Sequence, residues 1–189
     1  MAFLRFYGVF IRRPSTHRGG KESEVNMKGM MKWPLVIAAV LVVGRVALEQ
    51  IGAPELNKVF GVVWLYFLVP VYFAVKIGSS GEAQPFKELF KSVALFAIYT
   101  RLMVMPTYCL AYMFQWTAPR FSLTRDRVVG EGVSPLDGYL IIPVRNALVW
   151  AAIATIVGAV IGSITLAIRR HAMVKGLAPF HFIVAFCLF

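Results

Sequence analysis

Acidic residues are scarce in this chain. Nine Asp and Glu stand against 20 Lys and Arg among 189 residues, and none of the nine falls inside the apolar stretches Val59 to Val75, Ser92 to Pro119 and Asn146 to Ile168. That absence removes the carboxylate relay used by proton-coupled transporters. Histidine is nearly missing too: His17 and His171 lie at or outside the boundaries of these stretches and His181 stands alone in the apolar tail as a packed or interfacial ring, which leaves no pair to hold a bundle-embedded haem. The two cysteines, Cys109 and Cys187, sit in apolar surroundings without CxxC spacing, so neither a redox pair nor a zinc site is indicated, and both are expected to pack as small hydrophobes. The HExxH, GxSxG and Walker-type glycine patterns are absent, as is any carboxylate cluster. No cofactor, metal or catalytic residue is therefore expected.

What the chain has is apolar length. It is 59% hydrophobic with a mean hydropathy of +0.70, well above soluble domains. Crossing about 30 Å of hydrocarbon takes roughly 20 residues of helix, because a spanning segment must satisfy its own backbone hydrogen bonds. Four segments meet this need, and the expected fold is an all-α polytopic transmembrane bundle. The first, Trp33 to Leu48, reaches spanning length at Ile51 if Arg45 and Glu49, four apart on one face, pair with each other. Pro34 suits its first turn. In the second, Pro70 frees the carbonyl of Tyr66 and predicts a kink. The third carries Arg101 and Pro106, and the fourth, Asn146 to Ile168, ends at Arg169-Arg170-His171.

Charge in the connections sets orientation. Arg5, Arg12, Arg13, Arg18, Lys21, Lys28 and Lys32 precede the first span, Lys76, Lys87 and Lys91 join the second to the third, and Arg169, Arg170 and Lys175 follow the fourth. The opposite side holds Lys58, Arg120, Arg125 and Arg127. The positive-inside bias places both termini in the cytoplasm of a cell with this protein in its inner or plasma membrane. The basic excess is a topology signal, and nucleic acid is not an expected partner. The organisation is a basic tail over 1–32, a four-helix domain over 33–168 and a basic stop with an apolar, interfacial or re-entrant end over 169–189. Met27 is the expected start, with Met1 to Ile11 either an extension or an interfacial amphipathic segment. Gln115 to Tyr139 reads as a turn-rich loop, with Ser134 and the Ser79-Ser80 pair in solvated turns.

Small residues give the sharpest pattern. Ala147, Ala151, Thr155, Ala159 and Ser163 recur every four residues, with Ala154, Gly158 and Gly162 beside them. The expected packing face contains Ala151, Thr155, Gly158, Ala159 and Gly162, and Val149, Ile153, Ile156, Val160 and Ile164 turn to lipid. The partner of that face is either another helix of this chain, a second copy or another membrane protein.

Arginines are the candidates for chemistry, since a charge inside a span must snorkel, pair or meet water. Arg45 and Arg145 fall near the outer surface and are expected to anchor. Arg101 lies deep, without an acid in its own segment, on a stripe with Ala94, Ala97, Met105, Tyr108, Tyr112 and Gln115. Arg101 is read either as a structural hydrogen-bonding residue between helices or, with Tyr108 and Tyr112, as the candidate anion or lipid-headgroup site. The leading expectation is a scaffold, assembly factor or accessory subunit acting through helix contacts. The alternative is a transport or anion-binding protein centred on Arg101, and an enzyme ranks third because acid, base and nucleophile are lacking.

Overall fold

Residues 19–53, 56, 61–122 and 127–174 are described by the structure, a computed structural model. The expectations for Met1 to Ile11, His17, Gly176 to Phe189 and Cys187, and for Lys58, Arg125 and Asp126 in the connections, fall outside this set. The described residues form helices and turns, with no strand among them. The elements are α1 (Gly19–Gln50), a 3-10 turn (Val62–Trp64), α2 (Leu65–Ser79), α3 (Pro85–Phe114), the short α4 (Pro119–Ser122), a π-helical turn (Asp137–Ile141) and α5 (Ile142–Val174). Four helical stretches are long and apolar enough to cross a membrane: Gly29–Gln50, Val62–Ser79, Pro85–Phe114 and Asp137–His171.

Two boundaries differ from the sequence reading. The first helix begins at Gly19, so Pro34 lies inside it and removes the N–H that would bond the Met30 carbonyl, instead of occupying a first turn. The third begins at Pro85, seven residues before the apolar stretch, because a proline at N1 and the helix-forming Lys87, Glu88 and Leu89 extend it beyond the hydrocarbon.

The core lies where α2, α3 and α5 meet. Phe73 of α2 and Phe96 of α3 cross edge to face with centroids 6.1 Å apart, and Leu89, Val93 and Leu166 complete the buried cluster. α5 packs most extensively on α3 and then on α2, while α1 lies against α3 and, less, α2. On α5 the buried row is Asn146, Ala154, Gly158, Gly162 and Leu166, and Ala147, Ala151, Thr155, Ala159 and Ser163 flank it half-buried. The face is thus centred on the glycines. A Cβ on Gly158 would stand 2.7 Å from Val93 Cγ1 and 2.9 Å from Pro70 Cγ, and one on Gly162 would stand 3.0 Å from the Leu89 methyls. The bare Gly158 also faces the Tyr66 carbonyl, whose helical N–H partner Pro70 removes.

One end of the bundle is a basic rim. Arg169 of α5 donates from Nη1 to the Val75 carbonyl near the end of α2, threading past Gly78, where a Cβ would stand 3.3 Å from its Cδ. Arg170 lies over the Phe86 ring. The hydroxyls of Ser79 and Ser80 bond back to the Val75, Lys76 and Ile77 carbonyls, which closes the last turn of α2. At the far rim, α3 ends with Gln115 in the left-handed region (φ 52°), its side-chain Nε2 donating to the Tyr112 carbonyl and the Trp116 N–H to the Ala111 carbonyl. The chain then folds back over α3 by burying Phe121, whose carbonyl accepts from Val128 and Val129. The connection expected to be loop throughout therefore contains α4 and ends in the π-helical turn. There Ser134 Oγ donates to Asp137 Oδ2 at 2.6 Å and accepts from the Asp137 N–H.

Candidate anion site

Arg101 projects from α3 into the bundle and is only 9% exposed. Its guanidinium lies between two rings, with Cζ 5.0 Å from the centroid of Tyr66 on α2 and 5.3 Å from that of Trp150 on α5. Trp150, beside the guanidinium, stands four residues or about 6 Å of helix inside Asn146, the far end of the apolar stretch of α5, which places Arg101 in the half of the bundle away from the basic rim. Ala97, one turn earlier on α3, is buried with Arg101.

Cation–π contacts meet part of the cost. Each is worth about 1–2 kcal/mol when desolvated, against roughly 3 kcal/mol for an arginine at the centre of a span. They offset charge but accept none of the five N–H groups. Nε is buried and donates to no described residue. The Tyr66 hydroxyl is buried next to the guanidinium and interacts with it electrostatically and as a side-chain hydrogen-bond partner, although the two do not form a bond of full hydrogen-bond geometry. No carboxylate among the described residues is joined to Arg101. A buried guanidinium Nε–H without a described acceptor suits an oxyanion.

The same end of the bundle carries a second charged cluster. Glu49, at the end of α1 with a side chain only 3% exposed, lies 3.2 Å from Arg45 Nε through Oε1 and 2.9 Å from Arg120 Nε through Oε2. Arg120, on α4, covers the Phe121 ring at 4.2 Å and the Tyr108 ring at 5.8 Å. Burial pushes the Arg120 guanidinium down to about 10, with Glu49 opposing and Arg45 adding to the drop, so it stays charged at neutral pH. Arg45 and Tyr108 also lie within electrostatic reach of Arg101. Arg101 and Arg120 thus both lie near Tyr108, with Arg45 in electrostatic reach of each guanidinium.

Of the residues singled out from sequence, Arg101 and Tyr108 come together, and Tyr112 does not join them. Its hydroxyl donates to the Val133 carbonyl at 3.4 Å, and its ring meets Tyr139 edge to face at 4.9 Å and the backbone of Gly138. The stripe argument fails there because the returning connection covers the last turn of α3. Cys109 is half-buried, not enclosed, and its thiol donates to the Tyr139 carbonyl at 3.5 Å. Arg145 is exposed on α5. Sequence reasoning missed Tyr66, Trp150 and Arg120. Trp150 carried a visible signal, a bulky ring four residues from Asn146 and Ala154 in an otherwise small inward row. Arg120 carried none, since no local rule ties it to Glu49 across two spans.

Among the described residues no group of three His, Cys, Asp or Glu is placed to hold a metal ion. No protein family, curated protein or solved structure matches this chain.

Proposed function

We propose that this protein binds an oxyanion, a phosphate or carboxylate group, within the far half of its membrane-spanning bundle, with Arg101 as the binding residue and Tyr66, Tyr108 and Trp150 as its walls. The observation that carries the reading is the buried Arg101 Nε with no described acceptor, held between two aromatic rings. A purely structural arginine would have its N–H groups spent on carbonyls or carboxylates, because each unmet charged donor costs about 2 kcal/mol or more. Loop charge supports a cytoplasmic basic rim, which puts the site on the outer side of the membrane. The reading as a scaffold or accessory subunit rested on the small-residue face. That face is occupied by Val93, Pro70 and Leu89 of the same chain, so its weight goes to internal packing.

The test is thermal unfolding of the purified full chain with and without phosphate and phosphatidylglycerol. The wild-type midpoint is expected to rise with one of them, the rise to vanish in Arg101→Gln and to persist in part in Arg101→Lys, which keeps charge but loses the planar fork. Equal destabilisation of both variants with no anion effect in any form would make Arg101 a structural cross-link and end the proposal.

A further inference from the structure

The row of α5 that faces the bundle contains one anomaly. Asn146 is 7% exposed, Ala154 3%, Leu166 fully buried, and Gly158 and Gly162 buried, yet Trp150, in the same row and at the level of Arg101, is 39% exposed. The inward face of α5 is therefore open at one level, and the ring standing in the opening is one of the two that touch the guanidinium. Two other neighbours of the guanidinium are packed rings. Toward the core, Tyr66 packs edge to face on Phe96 with centroids 6.4 Å apart. Toward the far rim, Tyr108 packs edge to face on the buried Phe121 at 5.3 Å, under the Arg120 guanidinium. Of the two rings that touch the guanidinium, Trp150 is the one that reaches the outer surface of the bundle, the side that faces the bilayer in the proposed arrangement.

Resting on the reading of Arg101 as an oxyanion site, we infer that its ligand is the phosphate group of an anionic phospholipid, admitted laterally from the bilayer beside Trp150. Lateral entry suits the depth of the site. Arg101 lies several ångström below the far interface, within reach of a lipid phosphate if the flexible arginine stem extends upward and the headgroup is drawn slightly inward, as happens around intramembrane arginines. A tryptophan suits the entrance. Its ring is apolar enough to face acyl chains and has an N–H for the ester or phosphate oxygens at the headgroup level. Arginine then supplies a two-pronged contact to the phosphate oxygens that tyrosine and tryptophan alone cannot. A free phosphate offers the same oxygens but must cross the Tyr108–Phe121 layer, which is the point on which the two sources differ.

Tryptophan quenching separates them. The full chain is reconstituted in phosphatidylcholine vesicles containing either brominated phosphatidylglycerol or brominated phosphatidylcholine, and the Trp150 contribution is taken as the difference between wild type and Trp150→Phe. Brominated phosphatidylglycerol is expected to quench Trp150 more strongly than brominated phosphatidylcholine, and the preference to fall to unity in Arg101→Gln. Unbrominated phosphatidylglycerol should relieve the quenching of the wild type, an arm that needs no variant. Equal quenching by the two lipids, with inorganic phosphate still raising the unfolding midpoint through Arg101, would overturn the lateral lipid while leaving the oxyanion site. Equal quenching with no phosphate effect would remove both. An Arg101-independent preference for phosphatidylglycerol would show general attraction to a basic surface and would also overturn the inference.

Discussion

Glu49 shows how one carboxylate can organise two arginines. It is almost fully buried and touches Arg45 within α1 and Arg120 on the far side of α3, so it joins the first span to the returning connection. Glu49→Gln removes the charge from both contacts and is expected to cost on the order of 3 kcal/mol, the usual effect of breaking a buried pair from one side. Arg45→Gln should cost clearly less, because the Arg45 side chain is 29% exposed and the Glu49–Arg120 contact survives. Denaturant unfolding in detergent measures both, and equal losses would mean that the Arg120 contact carries no weight. At this scale the sequence was half legible. Spacing by four joins Arg45 to Glu49, and an arginine deep in an apolar segment marks itself. The aromatic walls of Arg101 come from α2 and α5, and such contacts between distant segments are set by helix rotation that no local pattern encodes.

Among the elements, α5 and α2 fit because two imperfections meet. Pro70 leaves α2 without one backbone hydrogen bond and with a protruding ring, and Gly158 offers the bare backbone against which that ring lies. Gly158→Ala would put a methyl 2.9 Å from a ring atom that cannot rotate away, and is expected to cost about 1–3 kcal/mol by overpacking. Gly162→Ala meets only the mobile end of Leu89 and should cost less. Val160→Leu, on the exposed side, should leave the unfolding midpoint unchanged. An order reversed between the two glycines would mean that α5 sits differently against α2. The small-residue period was plain in the sequence, and so was its lipid-facing complement. The buried row runs through Gly158 and Gly162, which the expected face contained, and Ala151, Thr155 and Ala159 flank it half-buried. The starts of α1 and α3 were hidden, since helix extends past hydrocarbon wherever polar residues favour it.

For the whole molecule, four apolar helices with one basic rim and one rim bearing the Glu49 cluster make a bundle with two unlike ends. The orientation proposed from loop charge is checked by reporter fusions: activity after Gly81 is expected to mark the cytoplasm, and after Gly130 the outer compartment. Reversed signals would invert the bundle and move the Arg101 site to the inner half. The central claim is that the bundle holds an anion through Arg101, and the bound material itself tests it most directly. Native mass spectrometry of the full chain extracted from its membrane should find a phosphate-bearing ligand on the wild type, reduced on Arg101→Lys and absent from a folded Arg101→Gln. The same adducts in the same proportion on all three would contradict the account.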